Sequence, residues 1–126
     1  MDYKGVIIEE SLEDKSILKD IKIISTKIEQ VTEKHKTPWI KQWTLHTIEL
    51  TDKKADSVAK EIAHSLEKEH SSWYADFKNK TTHYIIFRNK IFKVDHASAK
   101  QYTQAKKYGI SSGIPEHQLV FSTEIE

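Results

Sequence analysis

Three side chains in the middle of the chain, His46, Asp76 and His83, are of the types that carry general acid and base chemistry near neutral pH. An imidazole titrates close to pH 7, and a neighbouring carboxylate can orient it and stabilise its charged form. Such a constellation would suit a small enzyme of hydrolase or nuclease type. Spacing alone does not assemble it. A three-residue loop at Lys80-Thr81-Thr82 would set Asp76 and His83 on opposite faces of a sheet. Nothing local brings His46 to either. The ordinary role of each histidine is a hydrogen-bonded structural one.

Metal chemistry has less support. Glu61, His64 and Glu67 recur at spacings of three, on one side of a predicted helix. A catalytic metal usually needs three convergent ligands and an open position, and His64 falls on the polar flank. The chain has no Cys, which excludes thiolate ligands, disulfides and cysteine nucleophiles. It also lacks a Gly-rich phosphate loop, a Gly-x-Ser-x-Gly elbow, a His-Glu-x-x-His pair and a calcium loop. Gly5, Gly109 and Gly113 are the only glycines. No metal site and no cofactor is expected.

Residues 73–95 offer binding chemistry instead. A two-residue turn at Asn89-Lys90 pairs Phe87 with Phe92, Ile85 with Val94 and His83 with His96 on one apolar face, joined by Trp73, Ala75 and Phe77. Alternation then gives the outward face the rows Tyr74/Arg88/Ile91, Asp76/Ile86/Lys93 and Lys78/Tyr84/Asp95. The bland reading is a solvated face held by tyrosine packing and ion pairs. The sharper one is a recognition surface of Tyr74, Asp76, Lys78, Tyr84, Arg88 and Lys93. Arg88 is the only arginine, and a guanidinium suits bidentate anion contacts. Trp39 and Trp43, four apart on a predicted strand, share a face and can extend that surface or fill the core. Aromatics beside cations also suit single-stranded nucleic acid. Here Asp76 and Asp95 lie inside the patch and the net charge is only +1, which argues against that partner. A small molecule or a protein is the expected partner. A homodimer through an edge strand, or through Ile86 and Ile91, is a third reading.

The elements that must position these residues are few. A short strand is predicted at 3–10 and long strands at 20–32 and 39–50. The second has apolar residues on both faces (Ile21 and Ile23 against Ile24 and Ile28), which implies a bulge or burial on both sides. Ala55, Val58, Ala59, Ile62, Ala63 and Leu66 form a helical stripe, capped at Thr51 or Asp52 and ending near 70–72. Strands at 73–79, 83–88 and 91–95 follow, then a helix from about Ser98 to Tyr108. Gly109 is expected at its left-handed C-cap, with Ile110 as hydrophobic partner. The glycine-containing stretch 108–115 can also offer amides to an anion. The predicted fold is α+β: one domain over 1–126, with about six mainly antiparallel strands in β-β-β-α-β-β-β-α order. Two helices pack on one face, and the tail 122–126 is expected to fray.

A chain of 126 residues can bury one core unaided. Met1-Asp2-Tyr3-Lys4-Gly5-Val6 lacks the basic start and long apolar core of a secretory signal. No apolar run approaches the length of a membrane span. A soluble cytoplasmic protein with no membrane partner is expected.

The stretches 72–79, 83–95 and 108–115, together with Thr37-Pro38-Trp39 and Gln42-Trp43-Thr44-Leu45-His46, resemble a family of small uncharacterised prokaryotic proteins. That family has no established activity, ligand or catalytic residue, so the resemblance implies no function.

Overall fold

A computed structural model describes residues 2–33, 37, 40–67, 73–119 and 121. Six strands, β1 (Tyr3–Ile8), β2 (Lys22–Gln30), β3 (Gln42–Leu50), β4 (Tyr74–Lys78), β5 (Thr82–Phe87) and β6 (Lys90–Asp95), form one sheet in the order β2-β3-β1-β4-β5-β6. Every neighbouring pair is antiparallel. Helix α1 (Asp52–Ser65) follows β3, and α2 (Ala99–Ser111) follows β6. The α+β class and the element order are those expected. No helix among the described residues is long and apolar enough to cross a membrane. The tail 122–126 lies outside the described residues.

The sequence suggested that both helices pack on one face of the sheet, but they pack on opposite faces. Ala55, Val58, Ala59, Ile62 and Ala63 of α1 pack with Tyr3, Ile7, Ile48, Phe77, Tyr84 and Ile86. On the other face, Ala105 of α2 packs with Ile85, Phe87 and Val94, together with Ile114 and Leu119. The cause lies in β5, where Ile85, Ile86 and Phe87 are consecutive and all buried. Alternation sends them to opposite faces, so both faces of that strand need cover. Only the β5–β6 half is sandwiched in this way. Among the described residues no helix covers the α2 face over β1, β3 and β2, where Val6 is 37% exposed.

Two turns set the register. Between β4 and β5, Asn79 N–H bonds Thr82 O and Lys78 pairs with His83, leaving Lys80-Thr81 as a two-residue turn. Asn79 Oδ1 accepts from the amides of Thr81 and Thr82 at 3.0 and 2.9 Å, which tightens the turn by one residue. That odd-to-even change flips all of β4. Tyr74, Asp76 and Lys78 therefore share a face with Phe87, Ile85 and His83. Between β5 and β6 the turn is Arg88-Asn89, with Asn89 at a φ of 57°. Pairing slips by two residues (Phe87 opposite Lys90, Ile85 opposite Phe92), so the expected face-sharing of those strands survives.

The helix ends also differ. After Ser65 the chain turns extended, and Leu66 bridges Leu12 while Glu67 N–H bonds Ser11 O. This stops α1 well before 70–72, which lie outside the described residues. Helix α2 runs through Gly109 to Ser111. Its C-cap glycine is Gly113 (φ 98°), with Gly113 N–H to Ile110 O and Ile114 N–H to Gly109 O. Buried Ile114 is the hydrophobic partner, not Ile110. Strand β2 does carry a bulge, between Ile23 and Ser25, but it is an exposed edge rather than a doubly buried strand.

Gly5 places β4 against β1. A Cβ there would stand 1.9 Å from Asp76 O and 2.5 Å from Phe77 Cα, so only glycine permits this approach. Asp76 is thereby seated beside Val6.

Candidate functional site

The flip of β4 brings together the pair that spacing seemed to separate. His83 Nε2 lies 2.6 Å from Asp76 Oδ2, and His83 Nδ1 lies 3.1 Å from the Tyr102 hydroxyl. His83 is fully buried, whereas the Asp76 side chain is 28% exposed. Both ring nitrogens thus have partners, Nε2 the carboxylate and Nδ1 the tyrosine hydroxyl. The rings of His96 and Phe121 pack on the same imidazole. Burial holds the His96 pKa below its usual value, helped by His83 and Lys78. Burial also raises the Tyr102 phenol, with the charges of Asp76 and Asp95 adding to it.

The exposed edge of Asp76 opens into a groove of about 200 Å³. Its floor is Val6 and Ile8 of β1 with Trp43 and Leu45 of β3, and its walls are Trp73, Tyr74, Ile114 and Gln118. The Tyr74 hydroxyl donates to Gln118 O at 2.5 Å and so pins the C-terminal segment as a wall. Burial lifts the Tyr74 phenol above the ordinary tyrosine range, with Asp76 adding to the effect. Among the described lining residues only Asp76 carries a charge. The Trp73 indole N–H is buried without a partner among the described residues.

Trp43, Tyr74 and Asp76 of the expected surface thus meet in one groove. Lys78 shares their face but lies two residues along β4, outside the lining. The other candidates go elsewhere. Tyr84 is buried under α1 and donates to Asp56 Oδ1 at 2.5 Å. Lys93 lies 3.8 Å from the Asp56 carboxylate and 5.4 Å from the centre of the Tyr84 ring. Arg88 donates to the Leu66 and His64 carbonyls and so caps the end of α1. Ile86 is fully buried, so no dimer surface forms from Ile86 and Ile91. Trp39 lies outside the described residues.

His46 sits on the α1 face, apart from Asp76. It repeats the same bonding pattern, with Nε2 3.1 Å from Glu9 Oε1 and Nδ1 2.9 Å from the Thr26 hydroxyl. Glu10 takes the amide and hydroxyl of Thr44 at 2.6 and 2.8 Å. No group of three metal-ligating side chains converges among the described residues.

Sequence reasoning missed Tyr102, Gln118 and, on the floor, Val6, Ile8 and Leu45. The first two are joined to the site only by distant folding. The floor had a signal: in Val6-Ile7-Ile8, alternation sends Ile7 inward and leaves Val6 and Ile8 as apolar residues on the other face. No family model, curated protein or solved structure matches the chain, so the site's chemistry rests on its own residues.

Proposed function

We propose that the protein is a small-ligand binding module whose site is the groove beside Asp76. One observation carries this reading: a mainly apolar, aromatic-lined groove contains, among its described lining residues, a single charged side chain, and that carboxylate is held from behind by a buried histidine. Binding sites commonly combine apolar walls with a few fixed polar groups. The ligand suited to it is a single substituted ring or compact apolar body carrying one amine or other N–H donor. An apolar cavity of about 150 Å³ holds benzene, so a groove of this size takes little more than one ring. Association with a protein would place an amine-bearing side chain in the same groove.

A second reading, a small enzyme, draws on the Asp76–His83–Tyr102 chain. In it Asp76 is the proton acceptor facing the substrate. His83, being fully buried, serves as a positioning residue rather than touching substrate. A thermal-melting panel of aromatic amines, with matched alcohols and carboxylates, tests the binding reading. A ligand at 100 times its dissociation constant adds about 2.7 kcal/mol of stability. Amines alone should shift the melt. A panel in which carboxylates shift it and amines do not would reject the reading.

A further inference from the structure

Strand β2 is an open edge of the sheet with isoleucines exposed on it: Ile23 at 38%, Ile24 at 46% and Ile28 at 54%. Edge strands are usually protected by charge, bulges or cover, because their unpaired backbone groups invite another strand. Here β2 carries Lys22, Lys27 and a bulge, and their placement selects one partner. We infer that β2 pairs antiparallel with β2 of a second copy of this chain, about a two-fold axis through Thr26.

Its own pattern supports this. Pairing with β3 counts Ile24 and Ser25 as one position, since Ile23 opposes Ile48, Ser25 opposes Thr47 and Thr26 opposes His46. Centred on Thr26, the same count sets Lys22 against Glu29 of the second copy. It sets Ile23 against the other Ile28, and the bulged Ile24-Ser25 pair against the other Lys27. Every pair then lies on one face of a continuous sheet, as a two-fold perpendicular to that sheet requires. Each end then sets Lys22, already 3.5 Å from Glu49 of β3, beside a further carboxylate, and Ile23 and Ile28 cover one another. The two neighbouring in-phase registers fail on charge: one sets Lys22 against Lys27, the other Lys27 against itself. The lysines and bulge thus reject slipped pairings while allowing this one. A single strand edge is a small interface, so the dimer should dissociate on dilution.

The chain has no native cysteine, which makes the register directly testable. Sedimentation equilibrium should show a reversible shift from 14.7 kDa to twice that mass as concentration rises. Ile28→Lys, at an exposed position, should weaken association about tenfold or more while leaving the far-UV dichroism unchanged. Under mild oxidation, a mixture of Lys22→Cys and Glu29→Cys chains should give a mixed disulfide dimer in excess over either self-dimer. Ser57→Cys on the exposed side of α1 should give none. A monomer at every concentration up to about 1 mM overturns the proposal and leaves this edge to a different strand. So does a dimer that Ile28→Lys leaves intact, or equal self-crosslinking of Lys22→Cys chains.

Discussion

His83 Nε2 stands 2.6 Å from Asp76 Oδ2, across two adjacent strands, and the other ring nitrogen faces the Tyr102 hydroxyl. A buried imidazole needs partners on both nitrogens, because an unsatisfied polar group in the interior is costly. This bond therefore ties the stability of β4 and β5 to the orientation of the one carboxylate in the groove. Asp76→Ala should destabilise the fold by about 1–3 kcal/mol, by stranding the His83 N–H. Asp76→Asn keeps an acceptor and should cost less. Urea denaturation measures both, and equal stability of the three proteins would refute the coupling.

The close approach at Gly5 makes a sharper demand. Gly5→Ala would drive a methyl group into the backbone of Asp76 and Phe77, which cannot swing aside as a side-chain tip can. The expected loss is about 3 kcal/mol or more. A Gly5→Ala protein melting within a few degrees of wild type would show that β1 and β4 separate easily.

Arg88 should behave as a cap. Its guanidinium serves the Leu66 and His64 carbonyls at the end of α1, and Arg88 is not among the residues that line the groove. Arg88→Ala should lose about 1–2 kcal/mol in denaturant titration and leave ligand affinity unchanged. A variant of unaltered stability that lost ligand binding would restore the anion-binding role the sequence suggested.

Stability should fall at both ends of the pH scale. Folding lowers the pKa of His96, chiefly by burial, so the unfolded chain takes up a proton more readily below its ordinary value of 6.5. The contribution is complete above that pH and is lost as pH falls through it. His96→Asn should flatten the acid limb. Folding raises the phenols of Tyr74, Tyr84 and Tyr102, in each case first by burial. Their contribution is complete below the ordinary value of 10.0 and is lost as pH rises above it. Tyr84→Phe should reduce that alkaline slope. Denaturant midpoints across pH 5 to 11 test both limbs, and wild-type-like slopes in the variants would contradict them.

What could be read in advance follows from how local each signal is. The α1 stripe lies within one helix. The shared face of Phe87, Ile85, Phe92 and Val94 survived a two-residue slip, because parity is kept. The face of β4 hung on whether one loop was odd or even, which the Asn79 side chain decides by gathering two amides. That single parity error hid the Asp76–His83 pair, whereas Tyr84 was read as outward because both helices were expected on the other face, when α1 in fact covers it. The division of the helices between two faces was legible in Ile85-Ile86-Phe87, three consecutive apolar residues that no single layer can cover. Tyr102 and Gln118 reach the site from distant parts of the chain, and no spacing announces them.

The most direct test of the groove is a calorimetric titration of wild type and Asp76→Asn with the aromatic amine that best raises the melting temperature, beside its matched carboxylate. The account expects the amine to bind wild type, the carboxylate not to bind, and Asp76→Asn to weaken the amine by about tenfold or more. Equal affinity of both proteins for the amine, or tighter binding of the carboxylate, would contradict it.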